Sequence, residues 1–163
     1  MYKDGHRGVA LLLMVPLTGL FGIVGFGMTI LAVAVCRLPD LDHDYGWLPH
    51  RGLTHTIWFA VGAGAVTTAG LYVGLIGLPI EIPAWPLALL AGTTVFLGIV
   101  SHLIADALTV GRGEQAIRPF QPLSPEQLRF GLVRSNSRIW NGALLVGGIG
   151  AQILALGLFY RPF

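Results

Sequence analysis

Charged side chains are scarce in this chain. Asp, Glu, Lys and Arg together make up 11% of its 163 residues, while 54% are hydrophobic and the mean hydropathy is +0.72. An ordinary soluble domain carries roughly a quarter charged residues. The balance here, with several long apolar stretches, places the chain in the bilayer class. A net charge of +2 is too small to suggest a nucleic-acid partner, and no basic run is long enough to serve as one. The one cysteine, Cys36, excludes an intramolecular disulfide and reads as a small apolar filler before it reads as a soft ligand. There is no internal repeat and no low-complexity tract. The polar head runs into the first apolar stretch without a persuasive cleavage site, so a cleaved signal peptide is not expected. The length fits one domain over residues 1–163.

What is present is a series of apolar runs. Gly8 to Cys36 carries no charge, and as one helix it would measure about 43 Å, more than a ~30 Å hydrocarbon core requires. Pro16 and the glycines at 19, 22, 25 and 27 offer places to break it. A partly re-entrant hairpin with arms of about a dozen and about sixteen residues is expected, with a single kinked span as the alternative. Thr54 to Leu78, Pro86 to Thr109 and Ile139 to Tyr160 read as further spans, with Trp85 suited to the interface. Gly62, Gly64, Gly70 and Gly74 give the first of these small faces for helix packing, and Gln152 in the last reads as an interhelical hydrogen-bond partner. Ser124-Pro125-Glu126-Gln127 has the form of a capped helix start. The expected fold is an all-α polytopic membrane bundle of four to five helices.

Against this greasy background the segment Arg37 to Thr56, RLPDLDHDYGWLPHRGLTHT, stands apart. It holds Asp40, Asp42, His43, Asp44, His50 and His55, so three of the five histidines and three of the five aspartates fall within it. Carboxylate and neutral imidazole are the usual ligands of a zinc-type ion besides thiolate. His102 and Asp106 are four apart in a helical stretch and share one face, which suits a clamp on one ion. Asp40 and Asp42 flank Leu41 and would point the same way in an extended segment, where they could bridge two ions or orient a water. His50 is expected in the loop and His55 in the first turn of the next helix. Arg51 lies between these groups, to hold an anionic substrate group or to pair with Asp44. Taken singly, each histidine is no more than an interfacial side chain. Taken together they are not explained by a scaffold, and an ionisable group within an apolar span is costly unless paired or coordinated.

The topology permits the cluster. Two spans separate Asp40 from His102, so both emerge on one side, and His6 joins them if the first run folds back. In that case nine basic residues lie on the site side and only Arg161 opposite, against seven and three for a single span. The positive-inside rule then puts the site at the cytoplasmic face.

The motifs LPDLDH, HRGLTHT and GIVSHLIADALT, with a Gly-His pair near the N-terminus, resemble the YdjM-like family of membrane-bound metal-dependent hydrolases, a family associated with LexA control in some bacteria. The resemblance covers about residues 4–110. It implies a metal site built from Asp40, Asp42, His43, His50, His55, His102 and Asp106, with His6 from the N-terminal motif. A more distant similarity, to zinc-dependent phospholipase C, implies phosphoester hydrolysis. The likeness fades after Thr109, where the family continues with a Pro-Gly turn and a later acidic residue that this chain lacks.

The expected activity is therefore hydrolysis at the cytoplasmic membrane face, using one or two divalent ions, zinc first, on a lipid-like or small-molecule phosphoester. His6, Asp40, His43, His50, His55, His102 and Asp106 are the candidate ligands. Asp42 is the candidate bridging ligand or general base, and Arg51 the stabiliser of developing negative charge. The alternative is a metal-ion or proton transporter with the His/Asp cluster as a gate, which would want matching polar groups deeper in the membrane. A haem carrier would want opposed histidines within spans and few carboxylates beside them.

Overall fold

The computed structural model describes residues 1–43, 45, 51–79, 83–110 and 116–160. Among these residues the fold is α-helical, with helices α1 (Lys3–Leu13), α2 (Val15–Phe21), α3 (Ile23–Val35), α4 (Ile57–Ile76), α5 (Ala84–Ala107) and α6 (Arg138–Phe159). Short 3-10 turns at Leu38–His43 and Leu53–His55 join α3 to the polar segment and the polar segment to α4. The two-residue strands β1 (Thr109–Val110) and β2 (Val133–Arg134) pair in parallel beside the end of α5.

The first apolar run is a hairpin. Only Met14 separates α1 from α2, and its carbonyl still accepts from the amides of Leu17 and Thr18. Pro16 sits in the first turn of α2, where its missing N–H costs nothing, so it opens a helix and does not end one. The chain reverses instead at Gly22, whose φ of 56° suits glycine and strains other residues. The outgoing arm therefore runs from Lys3 to Phe21, longer than the dozen residues expected. Gly25 lets α3 lie directly against the Leu17 carbonyl of α2.

A buried polar lock holds the hairpin to α6. The Thr18 hydroxyl donates to Gln152 Oε1 (2.5 Å), the Gln152 amide donates to the Leu11 carbonyl (2.7 Å), and Thr18 and Thr29 share a hydrogen bond of 3.1 Å. Hydrogen bonds between membrane helices contribute about 0.6 kcal/mol each on average, and an orphaned buried partner costs more. Gln152→Leu is accordingly expected to destabilise the protein by roughly 1–3 kcal/mol. Thermal unfolding in detergent should read this as a Tm several degrees lower, with the site at the far end of the helices unchanged.

Helix α5 is the axis of the bundle, in contact with α1, α3 and α4. It approaches α4 where Gly64 faces Gly92, each leaving no room for a Cβ against the other's carbonyl. Ala60, Val95 and Ile99 fill the space beside that crossing, and Met14, Met28 and Ala32 the space beside α3. Of the glycines expected to line α4, Gly62, Gly70 and Gly74 face open space. Val66, Val73 and Ile76 on α4 and Val146, Ile153 and Leu154 on α6 point outward, as side chains against lipid do. Four segments, Ile23–Asp42, Ile57–Ile76, Ala84–Ala107 and Arg138–Phe159, are long and apolar enough to cross a bilayer.

The segment between α5 and α6 packs back against the site end of the bundle. Leu128 N–H donates to the Ile117 carbonyl, Phe130 N–H to Ala107, and Pro119 accepts from Ile57 at the start of α4. The helix expected at Ser124 to Gln127 does not form. Ser124 Oγ does accept from Glu126 N–H (3.3 Å), but the chain then runs on to pair Leu128 with Ile117. That pairing buries Ile117 with Leu103 and Ala107 and brings Leu128 against them, which outweighs the local capping signal.

Candidate metal centre

Two separated stretches deliver three side chains to one point. The last two turns of α5 present His102 and Asp106 four residues apart on one face, both buried. His55 ends the 3-10 turn just before α4, and Thr56 caps the helix by accepting from Phe59 N–H. That turn drives the His55 ring inward, 0% exposed. His55 Nε2 lies 3.3 Å from His102 Nε2, and each lies 3.7 Å from Asp106 Oδ2. Ligand atoms about 2.0–2.2 Å from a tetrahedral ion lie about 3.3–3.6 Å from one another, so the trio has the spacing of one face of such a site.

A second trio shares His102. His6, in the first turns of α1, stacks on the His102 ring with centroids 4.0 Å apart and planes at 5°. His6, Asp40 and His102 offer ligand atoms within 4.8 Å of one another, and Asp40 Oδ1 is 3.5 Å from His102 Nε2. Asp106 spans the two groups, with Oδ1 3.6 Å from His6 Nε2 and Oδ2 towards His55 and His102. His6 precedes the apolar run that starts at Gly8. Its burial favours the neutral form of the ring, which has a lone pair to offer. The Nδ1 atoms of His6 and His102 have no hydrogen-bond partner among the described residues.

Asp42 takes a different place from Asp40. The segment is a 3-10 helix and not extended, and at three residues per turn positions two apart point in widely different directions. Asp40 turns towards His102, while Asp42 Oδ2 lies 3.3 Å from His55 Nδ1, on the far side of that ring from the trio. The same oxygen accepts from Arg51 N–H (2.9 Å) and the Thr54 hydroxyl (3.3 Å). A carboxylate on the outer nitrogen fixes an imidazole's tautomer and orientation and raises its basicity. Asp42→Asn is expected to weaken divalent-ion binding about 10- to 100-fold without unfolding the protein. Competition with a chelating dye, alongside circular dichroism, checks this.

Arg51 places Nη2 3.6 Å from Asp106 Oδ2. Arg37 donates from Nε to Asp40 Oδ2 at 3.3 Å, a pairing that its i,i+3 spacing would have revealed in the sequence. Thr54 was likewise absent from the expected site and touches both Asp42 and His55. The Met1 nitrogen lies 3.5 Å from Asp106 Oδ1. A cavity of about 270 Å³ opens beside the cluster, lined by Lys3, His6, Arg37, Asp40, Arg51 and Asp106 together with Met1 and Tyr2. His50, Asp44 and the His43 side chain lie outside the described residues, although the His43 backbone closes the 3-10 turn.

Of the expected ligands, the fold thus brings His6, Asp40, His55, His102 and Asp106 together, and it places Asp42 behind His55. The chain is a polytopic helical membrane protein with a buried His/Asp cluster able to hold a metal ion at one end of its bundle. The family described as YdjM inner membrane protein matches residues 1–160, and the chain belongs to that family. No curated protein and no solved structure matches it.

Proposed function

We propose that the protein is a metal-dependent hydrolase of the membrane surface, acting on a phosphoester of small-molecule or lipid-like character. The observation that carries this reading is the convergence of His55, His102 and Asp106 at separations that suit a single divalent ion. The donors are nitrogen and oxygen, which suits zinc first among the common ions. His6 and Asp40 beside the trio offer ligands to a second. Held by these residues, a divalent ion would supply Lewis acidity and activate water near neutral pH.

The chain's own residues prepare the site for that chemistry. Asp42 orients His55 so that Nε2 faces inward. Asp106 balances the Arg51 guanidinium beside it, and Arg51 is placed to oppose negative charge that develops on the reacting group. Where only the first ion is held, Asp40, only partly buried at the edge of the cavity, would accept a proton from an attacking water. With the first run folded as a hairpin, the described basic residues Lys3, Arg7, Arg37, Arg51, Arg118, Arg129, Arg134 and Arg138 all fall on the site side. That bias favours a site facing the cytoplasm.

A transporter would need a polar path through the bundle. The deep polar groups Thr18, Thr29 and Gln152 are instead tied to one another and to backbone, which favours a structural lock. The test is hydrolysis by detergent-purified protein of phosphomonoesters and phosphodiesters, both soluble and presented in vesicles. Turnover that needs a divalent ion and disappears in His55→Ala supports the reading. Equal turnover by wild type and variant, or none by wild type on either class, overturns it.

A further inference from the structure

The cavity beside the cluster has a charge pattern of its own. Lys3, Arg37 and Arg51 line it against the carboxylates of Asp40 and Asp106, so it is net positive before any ion is added. Its volume of about 270 Å³ falls just below the roughly 300–1,000 Å³ of pockets that take drug-sized ligands, which suits a head group and little more. Arg51 is the unusual member. Its Nε and Nη1 are buried and have no hydrogen-bond partner among the described residues. Only Nη2 approaches a carboxylate, at 3.6 Å, too far for a good hydrogen bond. Burying guanidinium N–H groups without acceptors is costly, and an acceptor-rich anion would relieve it.

The backbone shows the same investment. Arg51 has φ 61°, the one positive φ outside glycine among the described residues. The left-handed conformation costs a side-chain-bearing residue roughly 1–2 kcal/mol. Asp42 holds it there by accepting the Arg51 N–H. Strain of this kind gathers where a side chain is being aimed. Guanidinium presents donors in a planar array that matches the oxygens of a phosphate group.

We infer that this cavity is a phosphate-binding site in which Arg51, with Arg37 and Lys3 at its rim, holds the dianionic phosphate of a monoester or free phosphate against the metal cluster. The inference rests on the hydrolase reading for its purpose but not for its test, which reads binding and not turnover. Inorganic phosphate is titrated calorimetrically into protein purified in a phosphate-free, non-ionic detergent, with metal content measured on the same samples. Wild type should bind phosphate, and Arg51→Gln should bind it at least tenfold more weakly with its metal content unchanged. Arg37→Gln should weaken binding to a lesser degree, because Arg37 already pairs with Asp40. Acetate serves as the control for anions in general.

A second arm adds a short-chain phosphatidic acid in mixed micelles as competitor. Displacement of phosphate at lower concentration than phosphate itself assigns the site to a lipid head group, and weaker displacement assigns it to a soluble phosphate. Phosphate affinity within twofold of wild type in Arg51→Gln overturns the site, as does acetate binding equal to phosphate or no phosphate binding by wild type. Phosphate binding that depends on Arg51 in a protein without hydrolytic turnover would sink the hydrolase reading and leave the phosphate site standing.

Discussion

His102→Ala is expected to leave the protein without stoichiometric divalent ion. His102 Nε2 belongs to both trios, facing His55 and Asp106 on one side and Asp40 on the other. Structural zinc sites with four protein ligands bind with about 10–16 kcal/mol, so one ligand in four is worth roughly 2.5–4 kcal/mol. At 1.4 kcal/mol per decade that is about a 10²- to 10³-fold loss of affinity, enough to empty the site on dialysis. Elemental analysis of detergent-purified wild type and variant checks this. Gln152→Leu serves as the control, since it weakens the bundle and should keep its metal. A His102→Ala protein that holds the same metal as wild type would place the ion elsewhere.

Asp106→Asn is expected to act on stability as well as on metal. The carboxylate is buried against His6, His55, His102, the Met1 ammonium and the Arg51 guanidinium, and it is the only acidic group within reach of that guanidinium among the described residues. Removing one member of a buried charge pair costs about 3–5 kcal/mol, because the other is left uncompensated. For a chain of this size that is a Tm lowered by roughly 10 °C, measured with chelator present so that lost metal does not contribute. The double variant Asp106→Asn/Arg51→Gln should recover part of the loss, since one of the two cations that Asp106 balances is then gone, the other being the Met1 ammonium. Equal stability of wild type and Asp106→Asn in chelator would show that the carboxylate compensates nothing.

Much of this arrangement is legible in the sequence, because a membrane imposes parity. Two spans between Asp40 and His102 return the chain to the same face whatever the details of packing, and apolar runs mark the last three spans to within two or three residues. The hairpin was one of two readings, and what selects it is Gly22, whose left-handed backbone turns the chain and brings His6 back beside His102. The sequence offers Pro16 and four glycines as break points without ranking them, and Pro16 drops out because a proline in the first turn of a helix removes only an amide that had no partner.

Local geometry was less readable. Whether Asp40 and Asp42 share a face depends on extended versus 3-10 backbone, and the Leu38–His43 turn sends them to opposite sides of the His55–His102 contact. The capping signal at Ser124 lost to the burial of Ile117, a long-range term that no local window contains. Arg51 was legible by charge alone. Its strained backbone and unpartnered nitrogens exist only in three dimensions.

X-ray absorption at the zinc edge of protein loaded with one equivalent of zinc bears most directly on the shared centre of His55, His102 and Asp106. The expected spectrum has a first shell of nitrogen and oxygen at about 2.0–2.1 Å, no sulfur, and the outer-shell pattern of at least two imidazoles, which diminishes in His55→Ala. A first shell containing sulfur, or an imidazole pattern unchanged when His55 and His102 are both removed, would contradict it.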